Sequence, residues 1–173
     1  MYVVDGRDGV VELTEVPQSS VGAPLPVVLA DEHTVLLAYL LEDRDPAWDG
    51  TSVRVVTASS DEPAALVRFQ QAWVFQFGPP NDEAFHGHPL YERGLHSYAA
   101  FEVEDSSWLR ALEQMNSVHE HHSPDRFRRL RHFVFAFHDS TFECVAGGFT
   151  VELRDGPLTK VVAEMSDLLA QHG

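Results

Sequence analysis

Two strands predicted for residues 131–137 and 141–146 place a histidine and a glutamate where they can exchange a proton. Side chains alternate between the two faces of a strand, so one face of this hairpin is aromatic and apolar, while the other carries Glu143. A turn centred at positions 139 and 140 pairs Glu143 with Ala136 and sets it diagonally beside His138. A carboxylate there orients the imidazole and stabilises its protonated form. We therefore predict that His138 and Glu143 are catalytic as an acid and a base, or serve as two metal ligands.

A second group of chemically active side chains lies in the segment 78–95, which has no helical or strand period and contains three prolines and three glycines. Such a stretch predicts an ordered loop, because it also contains apolar and aromatic residues. Within it, His86 and His88 are two positions apart, so in extended backbone both imidazoles point the same way. Together with Glu92 they are candidate ligands for a divalent metal. The alternative is that these loop histidines cap turns or meet solvent.

The spacing of His86, His88 and Glu92 resembles part of the first cupin motif, in which two histidines and a glutamate bind a divalent metal inside a β-barrel. The resemblance covers seven residues. Pro80 and Ala99 stand where cupins have the flanking glycines, and the chain contains no convincing second motif.

Basic and phenolic side chains supply further candidate ligand contacts, from the polar faces of the predicted strands and from the 78–95 loop. Arg68 or Arg93 can bind an anion, and Tyr98 is a further ligand-binding candidate. Four more arginines fall within six positions, namely Arg126, Arg128, Arg129 and Arg131. They indicate either an anionic ligand or internal pairing with nearby acids such as Glu102 and Asp125.

Periodicity predicts an α+β fold: a mostly antiparallel curved sheet or partial β-barrel with two main helices packed on it, in a single domain over residues 1–173. Helices are predicted from about 106 to 118, over 125–130, and from Pro157 onwards, where proline starts an apolar stripe. Turn residues at 46–50 separate the early strands. The remaining strands are predicted at 10–13, 26–30, 34–42, 52–58, 66–77, 97–104 and 149–153.

Composition narrows the function classes. The net charge of −15 arises from 12 basic and 27 acidic residues, which disfavours binding to nucleic acid or to an anionic membrane. Cys144 is the only cysteine, so no internal disulfide can form, and its place on the apolar hairpin face predicts a core residue rather than a nucleophile. The start of the chain lacks the pattern of a signal peptide, and we expect a cytoplasmic protein.

No P-loop, dinucleotide-binding glycine motif, nucleophile elbow or zinc-protease motif is present. Two functions remain open. The first is a small-molecule site, with or without a metal, between the 78–95 loop and the 131–146 hairpin. The second is a non-enzymatic acidic domain that binds a basic protein partner, in the manner of an inhibitor or immunity protein. The oligomeric state is not predicted.

Overall fold

A computed structural model describes residues 2–32, 34–42 and 55–171, and within these ranges it contains nine strands and three helices. The strands are β1 (Gly9–Glu12), β2 (Val27–Ala30), β3 (Val35–Leu40), β4 (Ala64–Gln70), β5 (Val74–Gly78), β6 (Ala100–Glu104), β7 (Arg131–Ala136), β8 (Thr141–Ala146) and β9 (Gly148–Arg154). The helices are α1 (Ser107–Asn116), α2 (Pro124–Phe127) and α3 (Leu158–Ala170). The predicted turn at 46–50 and positions 52–54 of a predicted strand lie outside the described residues.

The strands form two antiparallel sheets, which confirms the predicted α+β class. One sheet has five strands in the order β1-β6-β7-β8-β5, and the other has four in the order β2-β3-β4-β9. The sheets are not closed into a barrel. Their inner faces share one apolar core that contains Tyr39 and Phe69 from the four-stranded sheet and Phe133, Phe135 and Phe142 from the five-stranded sheet. Cys144 lies in that core, as predicted, and burial raises the pKa of its thiol to about 12.

The two main helices cover the outer faces. Leu158, Val161 and Met165 of α3 are buried against the four-stranded sheet, as the apolar stripe predicted. Helix α1 begins at Ser106, whose hydroxyl accepts a hydrogen bond from the backbone N–H of Leu109. No helix in the described ranges has the length and apolar character needed to cross a membrane.

The single strand predicted over 66–77 is wrong. Its two halves are β4 and β5, and they belong to different sheets. The chain leaves β4 at Gln71, which has a left-handed backbone with φ of 53°. The alternation continues across the break because Phe69 of β4 and Phe75 and Phe77 of β5 all contact Phe142, so the sequence period does not reveal the change of sheet.

The predicted register of the β7–β8 hairpin is wrong by two residues, although its two faces are correctly assigned. The backbone N–H of Phe137 donates to the carbonyl of Ser140, so the turn is centred on residues 138 and 139. Glu143 therefore pairs with Val134 rather than with Ala136. The carbonyl of His138 accepts the backbone N–H of Asp82 at 2.8 Å, and this contact with the 78–95 loop holds His138 in the turn.

Candidate functional site

The 78–95 loop covers the outer face of the five-stranded sheet. Its apolar side chains Phe85, Leu90 and Leu95 are buried against residues of β6 and β7. The loop contains two short 3₁₀ turns, Phe85–Gly87 and Tyr91–Arg93, rather than extended backbone. This packing carries His88 into the interior, above the centre of strand β8.

Glu143 is the centre of a buried hydrogen-bond network, here called the Glu143 network. The residue is only 3% exposed. Its Oε2 accepts the phenolic O–H of Tyr2 at 2.6 Å and lies 2.9 Å from Nε2 of His132. Its Oε1 accepts the side-chain amide N–H of Gln76 and lies 3.3 Å from Nε2 of His88. Four donors therefore surround one carboxylate, which is the pattern that lets a buried charge persist.

The second nitrogen of each imidazole fixes the tautomer. Nδ1 of His88 accepts the backbone N–H of Leu90 at 3.2 Å, so in the neutral ring the proton is on Nε2. Nδ1 of His132 lies 2.9 Å from the hydroxyl of Ser106. Because the ionised Glu143 carboxylate can only accept, a neutral His132 ring has its proton on Nε2, and the Ser106 hydroxyl, which also accepts the backbone N–H of Leu109, donates to Nδ1. Both neutral rings consequently donate from Nε2 to Glu143.

This arrangement keeps Glu143 ionised. Burial on its own acts to raise the pKa of the carboxyl, but hydrogen bonds from His132, His88 and Tyr2 outweigh it and hold the pKa well below the usual range. Burial and the neighbouring Glu143 charge raise the pKa of Tyr2 above its ordinary value. The site thus contains an anion, and neither imidazole has a free nitrogen with which to act as a general base.

A cavity of about 130 Å³ opens beside this network, between the 78–95 loop and the hairpin. Glu143, Gln76, Tyr2 and His88 supply polar groups, and its complete lining is Tyr2, Gln76, Phe77, Gly78, Pro79, Pro80, His88, Pro89, Thr141 and Glu143. Neither lysine nor arginine contributes to that lining. The cavity is therefore an acidic pocket with one buried carboxylate in its wall.

His138 is not part of the Glu143 network, so the predicted catalytic pair does not form. The imidazole Nδ1 lies 3.0 Å from Oδ2 of Asp82 and 2.9 Å from the hydroxyl of Tyr98, which also donates to Asp82. Partial burial and the Asp82 carboxylate raise the pKa of Tyr98 to about 12, and the hydrogen bond from Tyr98 lowers the pKa of Asp82. The two-residue change in hairpin register is the reason that Glu143 meets His132 instead of His138.

The other predicted site residues are dispersed. His86 and Glu92 are exposed on the loop while His88 is buried, so the predicted metal ligands do not converge. Across residues 2–32, 34–42 and 55–171, no three His, Cys, Asp or Glu side chains are arranged to hold a metal ion. Arg93 donates to the backbone carbonyl of Asp5. Arg68 lies on the face of β4 that is covered by α3, far from the loop.

Three members of the network were not among the predicted site residues, namely Tyr2, Gln76 and His132, although His132 was a possible fourth metal ligand. Gln76 and His132 each lie on the polar face of their strand, which is a usable signal only once the strand order is known. Tyr2 has no such signal, because it reaches Glu143 from a position 141 residues away.

A larger cleft of about 560 Å³ lies at the mouth of the gap between the two sheets. Tyr39 and Phe137 are among its apolar walls, and Glu12 and Glu15 are among its acidic ones. Ser19 also lines it, and the buried hydroxyl of Ser19 has no hydrogen-bond partner among the described residues. With Glu12 and Glu15 in its lining, this cleft is acidic as well.

Comparison with known proteins found no matching family model, no matching curated protein and no matching solved structure. The short resemblance to the cupin motif implied a β-barrel, whereas the two sheets here are not closed into one. The function is therefore inferred from the geometry of the site.

Proposed function

We propose that this protein binds a small cation rich in N–H donors, in the cavity between the 78–95 loop and the 131–146 hairpin. The observation that carries the proposal is the ionised, buried carboxylate of Glu143 in the wall of a cavity whose lining contains neither lysine nor arginine. A charge in a partly desolvated wall attracts an opposite charge more strongly than one in water.

Two acceptors remain available to such a ligand. The contact between Glu143 Oε1 and His88 is 3.3 Å long, compared with about 2.9–3.0 Å for a typical N–H···O bond, so this oxygen can accept a further donor. The side-chain carbonyl of Gln76 receives no hydrogen bond from the described residues, while its amide group donates to Glu143. A ligand that carries two or more N–H groups on a cationic centre matches both oxygens.

The size of the cavity limits the ligand. A volume of 130 Å³ lies well below the roughly 300–1,000 Å³ of typical ligand pockets. It corresponds to about four water molecules at about 30 Å³ each. A guanidinium or short alkylammonium group is therefore the appropriate class, either alone or as the end of a longer molecule.

Recognition, rather than acid–base catalysis, is the role that this geometry favours. A general base needs a nitrogen or oxygen lone pair that faces the substrate. Both ring nitrogens of His88 and of His132 are occupied, and the low pKa of Glu143 makes it a weak base.

The test compares guanidinium with urea, which has nearly the same shape and donors but no charge. Amide signals in the NMR spectrum are followed during millimolar titrations of each compound. We expect guanidinium to shift signals near Gln76, His88 and Glu143 saturably, with at least roughly tenfold tighter binding than urea, equivalent to about 1.4 kcal/mol. Equal affinity for the two compounds would show that the charge of Glu143 does not drive binding.

Two variants locate the binding site. Gln76→Met removes one acceptor at nearly constant volume and is expected to weaken guanidinium binding. Glu15→Gln removes a carboxylate from the larger cleft and serves as the matched control. The proposal is wrong if Glu15→Gln weakens binding and Gln76→Met does not, because the cation would then occupy the cleft between the sheets.

A basic protein partner is the second candidate, and the net charge of −15 favours it. Exposed carboxylates occur on both sheets and on α3, for example Glu12, Glu104, Glu152 and Asp167, so a broad field rather than a single patch would attract the partner. Its test is capture of partners at low and at high salt. Electrostatic capture has to weaken as salt increases, and a yield independent of salt would count against this candidate.

A further inference from the structure

The four arginines between positions 126 and 131 divide into two kinds. Two of them form ion pairs, namely Arg128 with Asp125 and Arg131 with Glu102. Arg126 and Arg129 are exposed, and within the described residues neither has a carboxylate at ion-pair distance. The chain contains 27 acidic residues, yet no described one neutralises these two guanidinium groups.

Arg126 and Arg129 line the same cleft, here called the arginine cleft. Its volume is about 370 Å³, which falls within the range of about 300–1,000 Å³ that is typical of small-molecule sites. Both residues reach it because positions three apart lie on one side of a helical turn. The full lining is Gln71, Trp73, Ser123, Asp125, Arg126, Arg129 and Leu130. Asp125 is paired with Arg128, because Nη1 of Arg128 lies 2.6 Å from Oδ1 of Asp125. The cleft therefore retains a positive charge.

Trp73 gives the arginine cleft an aromatic wall. Its side chain is held on one side by Phe127, at a centroid distance of 5.2 Å and an angle of 61°. The backbone N–H of Trp73 donates to the carbonyl of Val145, which fixes the start of β5. Nevertheless the residue is 39% exposed, so a surface of the indole remains free to contact a ligand.

We infer that the arginine cleft binds a small anion that carries a flat apolar ring. Arg126 and Arg129 would bind its carboxylate or phosphate oxygens, and Trp73 would contact its ring. Guanidinium groups bind carboxylate and phosphate with two parallel N–H···O bonds, and an indole next to them adds area for a planar partner. This site is separate from the Glu143 cavity and selects the opposite charge.

Calorimetric titration of the purified protein with phenyl phosphate tests the inference. Benzoate replaces the phosphate by a carboxylate, inorganic phosphate removes the ring, and benzyl alcohol removes the charge. We expect phenyl phosphate or benzoate to bind in the millimolar range or tighter, and the stronger of the two identifies the preferred oxyanion. Failure of both to bind at millimolar concentration, or equal binding of benzyl alcohol, overturns the inference.

Exposed residues allow variants that keep the fold. Arg126→Gln and Arg129→Gln should each weaken binding of the aromatic anion by roughly tenfold, as expected for loss of charged hydrogen bonds. Arg131→Gln is the matched control and should leave the affinity unchanged, because Arg131 is paired with Glu102 and does not line the cleft. Trp73→Leu should weaken phenyl phosphate but not inorganic phosphate. If Arg131→Gln is as damaging as the Arg126 and Arg129 variants, only general charge attraction is at work and the assigned site is wrong.

Discussion

Replacing Glu143 by glutamine tests whether the buried carboxylate organises the interior around it. The substitution keeps the shape but exchanges one acceptor oxygen for an NH₂ donor. Each carboxylate oxygen receives two donors, so two N–H or O–H groups lose their acceptor whichever way the amide turns. A buried donor without a partner costs about 1–3 kcal/mol, which gives about 2–6 kcal/mol in total.

Tautomer changes reduce this loss on only one side of the network. His132 can move its proton to Nδ1, because the Ser106 hydroxyl can turn and accept it. His88 cannot do so without placing two N–H groups against each other, since its Nδ1 faces the backbone N–H of Leu90. The amide should therefore turn its NH₂ towards His132, which leaves one donor without an acceptor, and we expect Glu143→Gln to lower the free energy of unfolding by about 2 kcal/mol.

Urea denaturation monitored by circular dichroism measures this change, with the midpoint and the slope both fitted. Glu102→Gln is the control, because it makes the same exchange in the same sheet but at a carboxylate near the surface that is paired with Arg131. That variant should lose no more than about 1 kcal/mol. If Glu143→Gln costs no more than Glu102→Gln, the donors around Glu143 have other acceptors and the reasoning is refuted.

Three further predictions follow from the same geometry. The folded protein holds the pKa of Glu143 below its ordinary value of 4.5, so the carboxylate stabilises the fold above pH 4.5 and this contribution is lost as the pH falls below it. Glu143→Gln should therefore flatten the acid side of a plot of unfolding free energy against pH. An unchanged slope would argue against the lowered pKa. Ser106→Ala removes the N-cap of α1 and the donor to His132, so it should lower the free energy of unfolding by more than the roughly 1 kcal/mol of a cap alone. Ser117→Ala, at the other end of α1, is the control and should change the free energy of unfolding little in the same denaturation assay. Cys144 is buried with its thiol pKa raised to about 12, so it should not react with a disulfide reagent until urea unfolds the protein, and rapid labelling of native protein would contradict its place in the core.

The polar and apolar faces of the strands could be predicted from the sequence, and most of the fold follows from them. The alternation in β7 and β8 placed Cys144 in the core and Glu143 on the other face, and both assignments hold. The apolar stripe of α3 was an equally local signal. These features can be predicted because burial favours apolar side chains at a fixed spacing within each strand or helix.

The partners of Glu143 needed the tertiary structure. A two-residue shift in register keeps every side chain on its face, so the pattern of faces cannot distinguish His132 from His138 as the neighbour. The choice is made by contacts outside the hairpin, where Asp82 of the loop holds His138 in the turn. Likewise, Tyr2 meets Glu143 only because the N-terminal segment packs beside α1, with its ring stacked on Trp108 at 5.3 Å.

The α+β class and the faces of the elements thus follow from local patterns in the sequence, which also predicted that the 78–95 loop is ordered. Tertiary packing decided which residues meet and which charges are left without a partner. The physical reason is that burial periodicity acts within one strand or helix, whereas hydrogen bonds and ion pairs join residues from different elements. Strand order, hairpin register and the path of the 78–95 loop bring those residues together, and none of the three is encoded in a local pattern.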